Sequence, residues 1–244
     1  MTSPLPEARR LWEELAGLTG RFPPRDGATV VVAAASRLCP PGWIGAVTLG
    51  GTALVTAPDA RTAARVREAL RGRPAEAAVD AALYAGRLSV TEVLGPATLA
   101  YASPEGFRPA SAAAAAAVEH VPAGHPSLRA LERAAGPDDA GEAALDDITS
   151  PAFVLREDGE PVAAAGYRLW PRRTAHLSVL TAPAARGRGL ARTVASAAVA
   201  HALAADLLPQ WRARPPASRR VAAALGFEEL GAQLSLRPGE ERSA

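Results

Sequence analysis

Lysine is missing from this chain of 244 residues: all 27 basic side chains are arginines, set against 25 Asp plus Glu for a net charge of +2. A Gly-Lys-Ser/Thr phosphate loop is therefore excluded. Nucleic acid is not an expected partner either, because capturing phosphates normally takes a concentrated basic field. Cysteine occurs once, at Cys39, so neither an internal disulfide nor a cysteine-built zinc cage can form, and a reducing compartment is expected. The four histidines are not grouped with other ligands, and no metal is expected. No apolar run approaches the roughly 20 residues that span a bilayer. The opening Met1-Thr2-Ser3-Pro4-Leu5-Pro6 lacks the basic-then-apolar layout of a secretion signal. These absences lead to the expectation of a cytoplasmic protein without membrane contact.

What is present suggests two parts. Leu11, Trp12, Leu15 and Leu18 recur at helical spacing within residues 6–18. Apolar runs at 29–35, 43–49 and 52–56 read as strands, the last two joined at Gly50-Gly51, a two-residue hairpin signal. A helix over 58–70 is expected to turn Ala60, Ala64, Val66 and Leu70 inward, and residues 88–100 look extended, broken at Gly95-Pro96. Six alanines at 112–117 shift the composition and set a boundary, giving domains 1–111 and 112–244.

The second part changes rhythm. A strand at 118–121, helices at 126–135 and 138–147, and strands at 151–157 and 161–169 come first, the last two turning at Asp158-Gly159. A strand over 175–181 then leads through Arg186-Gly187-Arg188-Gly189 into a helix reaching about 206. After it come a strand at 207–213, a helix at 215–225 and strands to 236. The expected fold class is α/β (α+β): a mixed central sheet flanked by helices in the C-terminal domain, with a smaller N-terminal α+β domain.

A strand that feeds Arg-Gly-Arg-Gly into a helix start presents unpaired N–H groups and the positive end of the helix dipole at one point. Gly187 and Gly189 let an oxygen approach the main chain, and Arg186 and Arg188 can supply charge. The dinucleotide fingerprint is excluded, because its third glycine would fall on Arg192.

The segment Val179-x-Thr181-x-Pro183-x-x-Arg186-Gly187-Arg188-Gly189-Leu190-Ala191 resembles motif A of the GNAT superfamily of acyl-CoA N-acyltransferases. Pro209-x-Trp211, then Ser218 in a short helix ending at Leu225-Gly226-Phe227, is similar to the fifth strand and fourth helix of that family, which a final hairpin usually follows. The two-part layout resembles the branch containing zwittermicin-resistance-type acetyltransferases. On that resemblance the N-terminal part is a candidate degenerate copy of the same fold.

The resemblance implies acetyl-CoA as co-substrate. Its pyrophosphate would lie on the amides of Arg188, Gly189, Leu190 and Ala191, with Arg186 and Gly187 shaping the loop. Its pantetheine arm would lie along Val179, Leu180 and Thr181, with Ser218 as a further contact. It implies direct transfer of the acetyl group to a primary amine of a small molecule or peptide, by a monomer or homodimer. The alternative is a CoA-binding sensor or scaffold without chemistry.

An attacking amine must first lose a proton, so a base is expected. His176 is one candidate, because strand alternation can turn it, with Ser178, into an acceptor groove. Glu142 is the other, able instead to receive a cationic substrate, with Asp146 and Asp147 close behind. The tyrosine that often serves the family as general acid is replaced by Ala222, and Tyr167 is the one tyrosine after residue 111. His201 is expected at the border of the core, and His120 and His125 in a loop around Pro122.

Overall fold

The computed structural model describes residues 3–17 and 21–239. In chain order its helices are α1 (Leu5–Ala16), α2 (Ala60–Leu70), α3 (Ala112–Ala115), α4 (Pro126–Ala135), α5 (Pro137–Ala143), α6 (Leu190–Ala204) and α7 (Pro216–Ala224). The strands are β1 (Gly27–Val32), β2 (Ile44–Leu49), β3 (Thr52–Ala57), β4 (Val90–Tyr101), β5 (Glu119–Val121), β6 (Ala152–Glu157), β7 (Glu160–Trp170), β8 (Thr174–Thr181), β9 (Leu208–Ala213) and β10 (Glu228–Pro238). None of the helices is long and apolar enough to cross a membrane among the described residues.

The chain divides into two compact units that do not follow a boundary at 111/112. Among the described residues, one comprises Ser3–Leu99 with Glu229–Gly239; the other holds Ala100–Glu228. The tail joins the first unit because β10 pairs antiparallel with β2, from Gly231 opposite Leu49 to Leu236 opposite Ile44. The expected final hairpin is thus one long strand spent on the N-terminal unit. The six alanines form only the single turn α3, capped by Ser111 and followed by β5 in the same unit.

In the C-terminal unit the strands run in the order β9-β8-β7-β6-β5. Alternation along β6 and β7 feeds two cores. Phe153, Leu155, Ala163, Ala165 and Tyr167 pack with α6 and α7, while Ala152, Val154 and Ala164 pack with Leu128, Leu131 and Leu145 on the other face. Helix α6 lies close to the sheet because Ala195, Ala198 and Ala202 are buried with Val194 and Val199, each valine contributing roughly 1.5–3 kcal/mol. On the same side of the chain, Ala191 in the first turn is half-buried and Ala205, just past the helix end, is exposed. Asp158 and Gly159 both have positive φ, the backbone that a two-residue hairpin requires. His120 lies in β5 with its ring edge on Phe153, rather than in a loop.

The N-terminal unit has the strand order β1-β3-β2-β10-β4. Helix α1 buries Leu11, Trp12 and Leu15; Leu18 lies outside the described residues. Helix α2 is turned by about one residue from expectation: Ala63, Val66, Ala69 and Leu70 are buried, and Ala60 and Ala64 are exposed. Strand β4 runs through Gly95-Pro96 unbroken.

The two units share a pairing pattern. In each, a tight hairpin, of two loop residues in β2-β3 and three in β7-β8, leads into a helix (α2, α6), and the second hairpin strand takes a parallel neighbour on its other side (β1, β9). The sequence repeats at the same point, as Thr56-Ala57-Pro58-x-Ala60-Arg61 and Thr181-Ala182-Pro183-x-Ala185-Arg186. The glycine loop exists only in the second. In the first, Asp59 caps the helix at once, its carboxylate accepting from Thr62 N at 2.8 Å and Thr62 Oγ1 at 2.7 Å.

Candidate active site

Strands β8 and β9 pair in parallel only from Thr174 opposite Leu208 to His176 opposite Gln210. Both then continue, to Thr181 and Ala213, without pairing each other. The unpaired stretch opens two clefts that share Val179, Thr181, Arg186, Trp211 and Ser218. The loop cleft, about 460 Å³, lies against Gly187, Gly189, Leu190 and Ala191 at the start of α6. The strand cleft, about 260 Å³, runs along Leu177, Ser178 and Leu180 toward Asp139, Glu142 and Arg212.

The loop cleft begins where the chain reverses. Gly187 and Gly189 have φ of +78° and +80°, a region L side chains avoid, and a Cβ on either would meet nothing within 4 Å. Gly189 is the N-cap of α6 and no side chain caps the helix, so its first amides face the cleft without a competing carboxylate. Thr181 Oγ1 is buried without a partner at the same place. Open glycine amides, a helix N-terminus and an orphaned hydroxyl together fit a bound phosphate chain with a polar arm.

The arginines are arranged differently from expectation. Arg188 does not line the loop cleft; it holds Glu157 through both terminal nitrogens, at 2.8 and 2.5 Å. Arg186 lines both clefts, but its guanidinium braces the loop, donating to Thr181 O at 3.3 Å and Asp139 Oδ2 at 2.6 Å. The cations added to the loop cleft are Arg192 on α6 and Arg220 on α7. Sequence reasoning missed both. Arg192 stands in the first turn of α6 and Arg220 in α7 two residues after Ser218, and no local pattern sets either apart from the neighbouring arginines.

Trp211 explains the Pro-x-Trp pattern. Its indole N–H donates to Ser218 Oγ at 2.9 Å and its ring meets Phe227 edge-on at 5.5 Å, so one side chain ties β9 to both ends of α7. Ala222 is buried in the core. Tyr167 Oη and His201 Nδ1 are hydrogen-bonded at 2.9 Å, and burial raises the phenol's pKa; neither residue lines a cleft.

Both catalytic candidates are otherwise engaged. His176 lines neither cleft, because it belongs to the last paired position and the opening begins one residue later. Its ring stacks on Trp170 at 4.2 Å, and Nδ1–H donates to Gln210 Oε1 at 2.8 Å. Gln210 Nε2 in turn donates to Tyr101 Oη at 3.0 Å. Burial first, and then the charge of Arg212, pull the imidazole's pKa down to about 3, so His176 is neutral and a poor proton acceptor. Glu142 does line the strand cleft, with both carboxylate oxygens held by Arg214. Asp147 pairs with Arg168 at 2.8 Å and does not line either cleft.

The imidazole makes a pH prediction. The native state resists a proton that the unfolded chain accepts near pH 6.5, so the stability from keeping His176 neutral is complete above that pH and lost as pH falls toward 3. In urea unfolding between pH 6.5 and 4.5, wild type should lose up to about 1.4 kcal/mol per pH unit more than His176→Gln. Parallel pH profiles would contradict the assignment.

A model of the family described as GNAT acetyltransferase matches residues 151–232, which covers β6 to the start of β10. No curated protein matches the chain. Among solved structures the chain is similar to a GCN5-related N-acetyltransferase-like protein from Streptococcus suis 89/1591 (16% identity, 95% of this chain and 97% of that one, TM-score 0.49). It is also similar to a GCN5-related N-acetyltransferase from Kribbella flavida (20%, 66% and 64%, 0.46). A third likeness is to an acetyltransferase from GNAT family from Colwellia psychrerythraea (17%, 65% and 60%, 0.45). The chain thus spans less than two thirds of the last two.

Proposed function

Because residues 151–232 belong to the GNAT acetyltransferases, an acyltransferase family, we propose that this chain transfers the acetyl group of acetyl-CoA directly to a small primary amine, with both bound at once. The observation that carries the proposal is the parting of β8 from β9, which joins an anion seat on one side to a small charged cleft on the other.

In this reading the pyrophosphate rests on the amides from Arg188 to Ala191, where the positive end of α6 and its uncapped N–H groups favour an anion. Arg192 and Arg220 add charge from the two helices that border the cleft. The pantetheine arm occupies the place that β9 leaves vacant beside Val179, Leu180 and Thr181, pairing with main-chain groups that have no strand partner there. A main-chain N–H near Val179 or Leu180 then polarises the thioester oxygen as the amine attacks. Ser218 keeps α7 against Trp211 and borders both clefts.

His176 is not the base in this scheme, and neither candidate receives the amine's proton directly; removal falls to solvent in the open strand cleft. Its 260 Å³ suits a small amine better than a folded protein surface. The two-part layout and Pro209-x-Trp211 support the zwittermicin-resistance-type branch as the finer placement.

The N-terminal unit repeats the hairpin-helix pattern with its anion seat filled by Asp59, and we assign it no donor of its own. Calorimetric titration should therefore give one acetyl-CoA per chain, and adding amines should release free thiol at a rate that depends on the amine. Two equivalents per chain would reinstate the N-terminal seat. Tight binding without release by any amine would favour a sensor, and no binding would remove the donor site.

A further inference from the structure

The parting of β8 from β9 has a set depth, and the side chains just below it bear on what sets it. Ala100, Tyr167, Leu177 and Trp211 face the core shared with α6. Tyr101, Trp170, His176 and Gln210, each an odd number of residues away along the same strands, therefore fall on the opposite face. There they join into one row. The His176 ring stacks on Trp170 at 4.2 Å and its Nδ1–H donates to Gln210 Oε1 at 2.8 Å, while Gln210 Nε2 donates to Tyr101 Oη at 3.0 Å. The row runs through β7, β8, β9 and β4, the order in which those strands lie in the sheet. The main chain adds a tie at its far end, where Ala102 N donates to Pro209 O at 3.1 Å. All four residues belong to the C-terminal unit.

The row stands at the last paired position. His176 lies opposite Gln210 where the ladder ends. Two residues farther along each strand, on the same face, Ser178 and Arg212 line the strand cleft. Tyr101 and Gln210 are fully buried. A buried amide left without a partner is costly, so Gln210 keeps both partners and holds β9 to β8 on one side and to β4 on the other. Apolar side chains of the same size would fill this layer without directed bonds and would let the parting slip along the strands. One residue of strand is about 3.3 Å, whereas about 1 Å of misplacement is enough to cost a positioned reaction much of its rate.

We infer that Gln210 and His176 are positioning residues: their hydrogen bond fixes where β8 and β9 part, and so where the pantetheine arm and its thioester lie against Val179. This rests on reading the place that β9 leaves vacant as the seat of that arm. Neither side chain lines a cleft, so each acts through the strands that carry it. The imidazole thus has a part other than proton transfer.

The test separates the hydrogen bond from the stack and the arm from the nucleotide. His176→Phe keeps a ring against Trp170 and removes the donor; His176→Asn keeps a donor and removes the ring. Acetyl-CoA engages the arm's place as well as the loop cleft, whereas adenosine 3′-phosphate 5′-diphosphate engages the loop cleft alone. In His176→Phe acetyl-CoA should bind at least tenfold more weakly, with the nucleotide within twofold of wild type. His176→Asn should recover most of the lost affinity, which general loss of folding cannot mimic. Gln210→Met, which loses the same bond from the other strand, should repeat the result. Unchanged acetyl-CoA affinity in His176→Phe, equal losses for both ligands, or no recovery in His176→Asn overturns the inference.

A second arm omits CoA. Hydrogen exchange of the amides of residues 174–176, 208 and 210 should be at least tenfold faster in His176→Phe and Gln210→Met than in wild type, with α6 unchanged. Unchanged exchange at those amides overturns the inference even where acetyl-CoA binds and turns over. Faster exchange there, in a protein whose wild type fails to bind acetyl-CoA, keeps the tie between the strands and removes the transferase reading instead.

Discussion

Gly187→Glu should abolish detectable acetyl-CoA binding, a loss of at least 100-fold in affinity or about 2.7 kcal/mol, while the protein stays folded. The loop needs glycine because φ is +78°, where a Cβ costs roughly 1–2 kcal/mol. That cost is local, since a Cβ there meets nothing within 4 Å. The glutamate would extend into the open space beside the α6 amides and bring a negative charge where a pyrophosphate is to lie. Gly189→Glu should act alike, with some added fraying of α6 because Gly189 is its N-cap. Arg188→Gln is the contrast: its guanidinium is already held by Glu157, and binding should weaken only a few-fold. Calorimetry, with circular dichroism as the folding control, separates these outcomes. Unchanged affinity in Gly187→Glu would sink the donor site.

The second large effect concerns stability. Gly226 follows α7 with φ of +86°, and its amide donates to Ala223 O at 3.0 Å, the turn that ends the helix. A Cβ at Gly226 would stand 1.9 Å from Gly106 O and 2.9 Å from the carbon of the same peptide group, which is main chain and cannot rotate aside. The loop holding Gly106 is fixed in turn, as Arg108 N donates to Leu225 O at 2.9 Å. Gly226→Ala therefore adds backbone strain to a direct clash. It should cost more than about 3 kcal/mol and lower the melting temperature by roughly 10 °C or more. Phe227 lies next to it against Trp211, and Trp211 carries Ser218, so residual folded protein should also bind acetyl-CoA more weakly. A melting temperature within 2 °C of wild type would show that the Gly106 loop yields.

The strength of the donor site contrasts with the sparseness of catalytic groups. Ala222 in the core, His176 behind the fork and Glu142 held by Arg214 leave positioning and main-chain polarisation as the means of acceleration. Two substrates aligned in a cleft open between two strands can reach a useful rate by those means, provided the amine arrives neutral.

The sequence by itself determined the local features. Gly50-Gly51 and Asp158-Gly159 turn where the chain needs positive φ, Pro126 and Pro216 open helices, and Gly187 and Gly189 mark a place where a strand meets an uncapped helix through a glycine loop. Such signals are carried by one to four neighbouring residues, and backbone sterics make them legible without the rest of the molecule. The tertiary structure decided what depends on partners far along the chain. It sent β10 back to β2, some 180 residues away, and it stopped the pairing of β8 and β9 at His176. That single register limit put His176 behind the fork and Leu177 in the cleft, which alternation alone could not distinguish. Ion pairs mattered as well: Glu157 withdrew Arg188 from the loop cleft and Arg214 holds Glu142, while Arg192 and Arg220 line the loop cleft and Arg212 the strand cleft. Charge is read from sequence one residue at a time, but the field in a cleft is a sum over side chains that only the fold brings together.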